Sequence, residues 1–130
     1  MKILLLEPNR LLAGQYCRYL ENQGHTLAWR EDAQSGINAA DEMNPDLVIA
    51  ELLLAGHSGV EFLYEFRSYA DWLNVPVLIL SGAPKSATGV SDETMQELGV
   101  AAYLYKPDTS LELLRRAVRN AVAVSKPAKS

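Results

Sequence analysis

The sequence predicts an α/β protein: a doubly wound parallel sheet of five strands, (βα)5. Two observations predict it. Short aliphatic runs bounded by polar or turn residues recur along the chain, as they do where helices cover both faces of a parallel sheet. Between these runs lie stretches with apolar residues at helical spacing. Strands alternating with helices imply right-handed crossovers and a parallel sheet.

The elements follow in order. Ile3–Leu6 is a buried first strand. Asn9 to Asn22 carries Leu11, Leu12, Tyr16, Tyr19 and Leu20 as a helical stripe and stops before Gly24. Thr26–Arg30 alternates more and fits an edge strand. Ala33 to Met43 is a short helix, and Asp46–Ala50 is the third strand. Gly59 to Leu73 is a helical pattern carrying Val60, Phe62, Leu63, Phe66 and Tyr69, with Ser58 as N-cap. Val77–Leu80 is the fourth strand. Ser91 to Leu98 is a short helix, capped by Ser91 and stopped by Gly99. Ala101–Tyr105 is the fifth strand, with Tyr105 read as facing away from Tyr103. Ser110 to Val124 places Leu111, Leu114, Val118 and Ala121 inward, with Arg115, Arg116 and Arg119 largely outward. The strand order 2-1-3-4-5, flavodoxin-like, puts a site at the carboxyl ends of strands one and three.

Composition narrows the function. A chain of 130 residues suits one domain. Residues 1–124 are read as that domain, and 125–130 as a flexible tail or the start of a linker. The net charge of −4 argues against nucleic-acid binding by this domain. No apolar run approaches the ~20 residues needed to span a bilayer. The apolar stretch after Lys2 is too short for a secretory signal. A cytoplasmic location is expected. Cys17 is alone, so it forms no internal disulfide and anchors no thiolate zinc site. His25 reads as a turn residue and His57 as a solvated loop residue near the cleft mouth. Neither has a partner at metal-ligand spacing.

Polar residues converge at the strand ends. Glu7 and Pro8 end the first strand, Glu51 the third, Ser81 the fourth, and Lys106-Pro107 the fifth. Two carboxylates, a hydroxyl and an ammonium would meet in one shallow cleft. The segments Lys2–Glu7, Gly24-His25, Pro45–Glu51, Ser58–Leu63, Val75–Ser81 and Tyr103–Pro107, in this order and spacing, resemble a response-regulator receiver (CheY-like) domain over residues 2 to about 123.

The resemblance implies a module of two-component signalling and not an enzyme. Such a domain takes a phosphoryl group from a histidine kinase onto an aspartate at the end of strand three. A pair of acids after strand one helps bind Mg²⁺. A hydroxyl on strand four and a lysine on strand five contact the phosphoryl oxygens. In this chain Glu51 stands at the phosphoacceptor position, and Pro8 replaces the second acid beside Glu7. The added methylene of glutamate displaces the nucleophile by roughly 1 Å, enough to cost ~100-fold in rate. Pro8 supplies no carboxylate, so Mg²⁺ binding is expected to be weak or lost and no other cofactor is expected. Ser81, Lys106 and Tyr103, at the position of the switch aromatic, are retained.

The expectation is an atypical receiver, or pseudo-receiver, acting without phosphorylation as a protein–protein regulatory module. Its partner would be an output domain, a histidine kinase or another receiver. Glu51 either reaches the phosphoryl space and mimics an activated site, with Ser81 and Tyr103 turned inward, or pairs with Lys106 for structure only. The alternative is a phosphoryl-accepting receiver, a fragment of a longer DNA-binding regulator. A flavodoxin-like cofactor protein is disfavoured because Glu7 to Ala13 carries no Ser/Thr/Gly-rich phosphate loop. Ala101-Ala102 lacks the acid that many DNA-binding relatives use to dimerise. An apolar homodimer through the helix-four, strand-five, helix-five face stays open.

Overall fold

The computed structural model describes residues 1–54 and 58–125. Strands β1 (Lys2–Leu6), β2 (Thr26–Arg30), β3 (Leu47–Ala50), β4 (Val77–Ser81) and β5 (Val100–Tyr105) form one sheet. All pairs are parallel, and the order is β2-β1-β3-β4-β5, as the sequence predicts. The helices are α1 (Arg10–Asn22), α2 (Ala33–Met43), α3 (Gly59–Arg67), α4 (Asp92–Glu97) and α5 (Leu111–Ser125).

The aliphatic runs are unbroken because each strand feeds two cores. Leu4, Leu6, Val48, Ala50, Val77 and Ile79 face α2, α3 and α4, where Ile37, Phe62, Phe66 and Met95 complete one cluster. Their neighbours Ile3, Leu5, Leu47, Ile49, Leu78 and Leu80 face α1 and α5 and meet Tyr16, Leu20, Leu114 and Val118. Strand side chains alternate between the two faces, and both faces here are covered. Each fully buried Leu or Ile contributes about 1.5–3 kcal/mol. By contrast, β2 is only partly buried, as befits an edge.

Helix starts are set locally. Asn9, Asp32, Ser58 and Ser91 each accept a backbone N–H with their side chain at the head of α1, α2, α3 and α4. Ser110 Oγ does the same for Leu113 N at 3.0 Å. Such caps contribute about 1 kcal/mol each.

Four details depart from the sequence reading. Leu11 is 81% exposed. It lies nine positions before Leu20, two and a half turns away and so on the opposite side of α1. The buried stripe is Ala13, Tyr16 and Leu20. In the second departure, α3 stops at Arg67 and a single 3-10 turn, Ala70–Trp72, follows instead of more helix. Tyr69 is therefore 45% exposed, while Trp72 folds back to stack on Phe66, with ring centroids 4.8 Å apart. Leu111, in the first turn of α5, is 37% exposed, and packing begins a turn later at Leu114. Finally, Tyr103 packs with the first cluster while Ala102 and Leu104 pack with the second. Residues two apart share a face, so Tyr105 lies on the side of Tyr103 and not opposite it.

Helix α5 continues through Ser125, one residue into the stretch read as a tail. His57 and residues 126–130 lie outside the described residues. Among those described, no helix is long and apolar enough to cross a membrane.

Candidate functional site at the carboxyl edge of the sheet

The sheet register assembles the site. Leu6 pairs with Ala50, so the residues after them, Glu7 and Glu51, leave β1 and β3 side by side. Glu51 N donates to Leu6 O at 3.0 Å, and Glu7 N donates to Arg30 O at 3.0 Å. Ser81 closes β4, and Lys106 follows β5. Glu7 is 1% and Glu51 3% exposed, and Ser81 is fully buried.

Lys106 sits between the two acids. Its Nζ is 2.6 Å from Glu7 Oε1 and 2.7 Å from Glu51 Oε1. Backbone donors take the remaining carboxylate oxygens. Glu51 Oε2 accepts from Leu53 N at 3.1 Å, and Glu7 Oε2 accepts from Asn9 N at 2.9 Å. Glu51 Oε1 also accepts from Gly82 N at 3.0 Å, which ties the loop after β4 to the end of β3. The Trp29 indole donates to Glu7 O at 2.7 Å and braces the strand end from β2.

These contacts set the protonation states. Burial pushes the Glu51 carboxyl up, but hydrogen bonds from Lys106, Ser81, Gly82 and Leu53 outweigh it and hold the pKa below its ordinary value. Burial pulls Lys106 down, yet bonds to Glu51 and Glu7 hold its pKa above the ordinary lysine value. The site therefore holds Glu51 as a carboxylate and Lys106 as an ammonium.

The switch-position aromatic is also engaged. Ser81 Oγ accepts from Ala83 N at 3.1 Å, and the Tyr103 hydroxyl donates to Ala83 O. Burial, opposed by a Ser81 hydrogen bond, raises the Tyr103 pKa, so the phenol stays protonated and can donate. Tyr103 is partly buried against the α2/α3 core.

The structure thus brings Glu7, Glu51, Ser81 and Lys106 into one site, with Tyr103 joined through Ala83. Pro8 lies exposed at the rim. Sequence reasoning missed Leu53, Gly82 and Asn9, which act through backbone N–H groups that carry no side-chain signature. It also missed Gly59, where a Cβ would come within 2.8 Å of Leu52 Cα and against the Glu51 carbonyl. Only glycine lets α3 start this close to the site.

Mg²⁺ takes near-octahedral oxygen ligation. Both Oε1 atoms face an ammonium, both Oε2 atoms accept from amides, and Pro8 adds nothing. No group of three or more His, Cys, Asp or Glu placed to hold a metal occurs among the described residues.

Comparison with known proteins decides the family. The response regulator receiver domain family matches residues 3–119. The chain belongs to that family. Receiver domains are signalling modules that interact with kinases and output domains. Among curated relatives, the receiver is 28% identical over 117 residues to the phosphate regulon transcriptional regulatory protein PhoB of Escherichia coli, covering 88% of this chain and 49% of PhoB. It spans about half the length of such relatives. Among solved structures, a sensor protein from Polaromonas sp. JS666 superposes with a TM-score of 0.86 at 18% identity, over 96% of this chain and 98% of that one. The chemotaxis response regulator CheY4 of Vibrio cholerae gives 0.81 at 18% identity, over 92% and 97%. These structural likenesses speak to the fold.

Proposed function

We propose that this receiver is an atypical one, a regulatory protein–protein module that works without phosphorylation of the strand-three acid. The observation that carries the reading is Lys106 Nζ bonded at once to Glu7 and Glu51. The cation occupies the acids that would otherwise recruit a metal, so Mg²⁺ binding is weak or lost. The acceptor-position carboxylate is held by four donors instead of facing an incoming phosphoryl group. Glu51 and Tyr103 together secure Gly82 and Ala83, the first residues of the loop leading to α4. This favours the activated-like form of the reading, with the aromatic turned inward and a carboxylate standing for part of a phosphoryl charge. The partner would be an output domain, a histidine kinase or another receiver, met in the cytoplasm.

The competing reading is a phosphoryl-accepting receiver within a longer DNA-binding regulator. Two observations favour it: the retained Ser81 and Lys106, and the half-length coverage of relatives such as PhoB. Intact mass after incubation with acetyl phosphate and Mg²⁺ separates the two. The parent should stay unmodified while Glu51→Asp gains one phosphoryl group. A parent that gains the group, mapped by peptide mass to Glu51, overturns the proposal.

A further inference from the structure

Helix α4 is only six residues long, too short to persist without support from its ends. Its N-terminal end follows the loop that Glu51 and Tyr103 hold at Gly82 and Ala83. Its C-terminal end is held by a residue outside the site. Arg67, the last residue of α3, is partly buried and donates through Nε to Leu98 O at 2.8 Å. Its Nη2 donates to Val75 O at 2.6 Å and reaches Gly99 O at 3.4 Å, and Nη1 donates to Trp72 O at 2.5 Å. Burial lowers the Arg67 pKa, and no carboxylate pairs with it among the described residues. Its hydrogen-bond partners among the described residues are carbonyls, and its guanidinium lies 5.5 Å from the centroid of the Phe66 ring.

Leu98, the C-cap of α4, carries one of the carbonyls that a helix C-terminus leaves unpaired, and Gly99 O just beyond it also accepts from Val77 N at 3.4 Å. A cation with a planar fork of donors suits them. The backbone is moulded around the guanidinium: Gly99 adopts φ +71°, and a Cβ there would lie 2.5 Å from Arg67 Nη2. One side chain therefore joins the end of α3, the turn before β4 and the end of α4.

We propose that Arg67 is the fulcrum of α4. The C-terminal end of the helix is fixed to α3, so release of the loop at Gly82 and Ala83 swings the N-terminal end alone. The surface that a partner reads would then be the Ser91 end of α4. The Glu51 arm rests on the function proposed above; the Arg67 clamp does not.

The test uses the full chain, with backbone amide shifts and hydrogen exchange in Glu51→Ala, Tyr103→Phe, Arg67→Gln and Arg67→Lys. Tyr103→Phe releases the loop without touching a carboxylate. In the parent background, Glu51→Ala and Tyr103→Phe should shift the amides from Gly82 to Thr94 and leave Leu98 and Gly99 in place. Arg67→Gln should speed exchange at Leu98 and Gly99 about tenfold and let the loop perturbation spread into β5. Arg67→Lys, which keeps the charge without the fork, should fall between and serves if Arg67→Gln does not fold. Unchanged exchange at Leu98 and Gly99 in both Arg67 variants overturns the fulcrum. So does a Tyr103→Phe shift as large at Gly99 as at Gly82, or none at α4. If Tyr103→Phe swings α4 and Glu51→Ala does not, the fulcrum stands and the Glu51 reading fails.

Discussion

Lys106 and Glu51 meet at 2.7 Å across the carboxyl edge of the sheet, with the whole of β4 between the strands that carry them. Both side chains are largely buried, so the pair is lightly screened. Removing only its cation leaves Glu7 and Glu51 side by side with only neutral donors to hold them. Lys106→Met should lower stability by about 3–5 kcal/mol, read from urea unfolding. Glu51→Gln, which keeps an acceptor for Gly82 and Lys106, should cost less. Equal losses for the two would mean that charge is not what holds the site.

The same cluster predicts an acid-sensitive stability. The folded pKa of Glu51 lies below its unfolded value, so its contribution is present above about pH 4.3 and fades as pH falls through the lower folded value. Lys106 has the opposite sign. Its folded pKa is raised, so its contribution is complete below about pH 10.4 and is lost as pH climbs through the folded value. Urea midpoints of the parent and Glu51→Gln should converge in acid and stay apart near neutrality. A gap that persists unchanged at pH 2 would contradict this assignment.

Two glycines should respond oppositely to the same change. Gly59→Ala drives a Cβ against the Glu51 carbonyl and Leu52. It should cost about 1–3 kcal/mol and disturb the Glu51 amide signals. Gly14, within α1, has only the flexible Arg18 guanidinium near its Cβ position, at 3.5 Å. Gly14→Ala should stabilise by up to about 1 kcal/mol. Thermal unfolding of both variants checks the pair.

Phe66 is fully buried, with its ring centroid 5.6 Å from Phe62 and 4.8 Å from Trp72. Phe66→Ala should cost about 3–5 kcal/mol and change the Trp72 fluorescence. A loss under 1 kcal/mol would mean that the ring stack collapses into the void with little penalty.

Most of the fold was legible because buried parallel strands leave a strong mark. Ile3–Leu6 and Val77–Leu80 carry no polar residue, and Ser58 and Ser91 announce their helices. Leu11 misled because leucine reads as apolar whichever way it points. Tyr69 and Leu73 misled because the chain turns after Arg67, whose guanidinium takes the carbonyls of Trp72 and Val75, a contact that apolar spacing does not encode. At the site, the side chains were legible and their pairing only in part. The Glu51–Lys106 bond follows from the topology. The equal claim of Glu7 on that ammonium depends on how far one side chain reaches.

Because β1, β3 and β4 are apolar on both sides, sliding one of them by a residue would exchange one greasy surface for another at small hydrophobic cost. Their polar ends would not tolerate the slip. Displacing Glu7, Glu51 or Ser81 by one position would strand a charge or a hydroxyl among hydrocarbon. The cluster at the edge therefore works as an alignment key for the sheet, telling strands of nearly interchangeable composition where to stop.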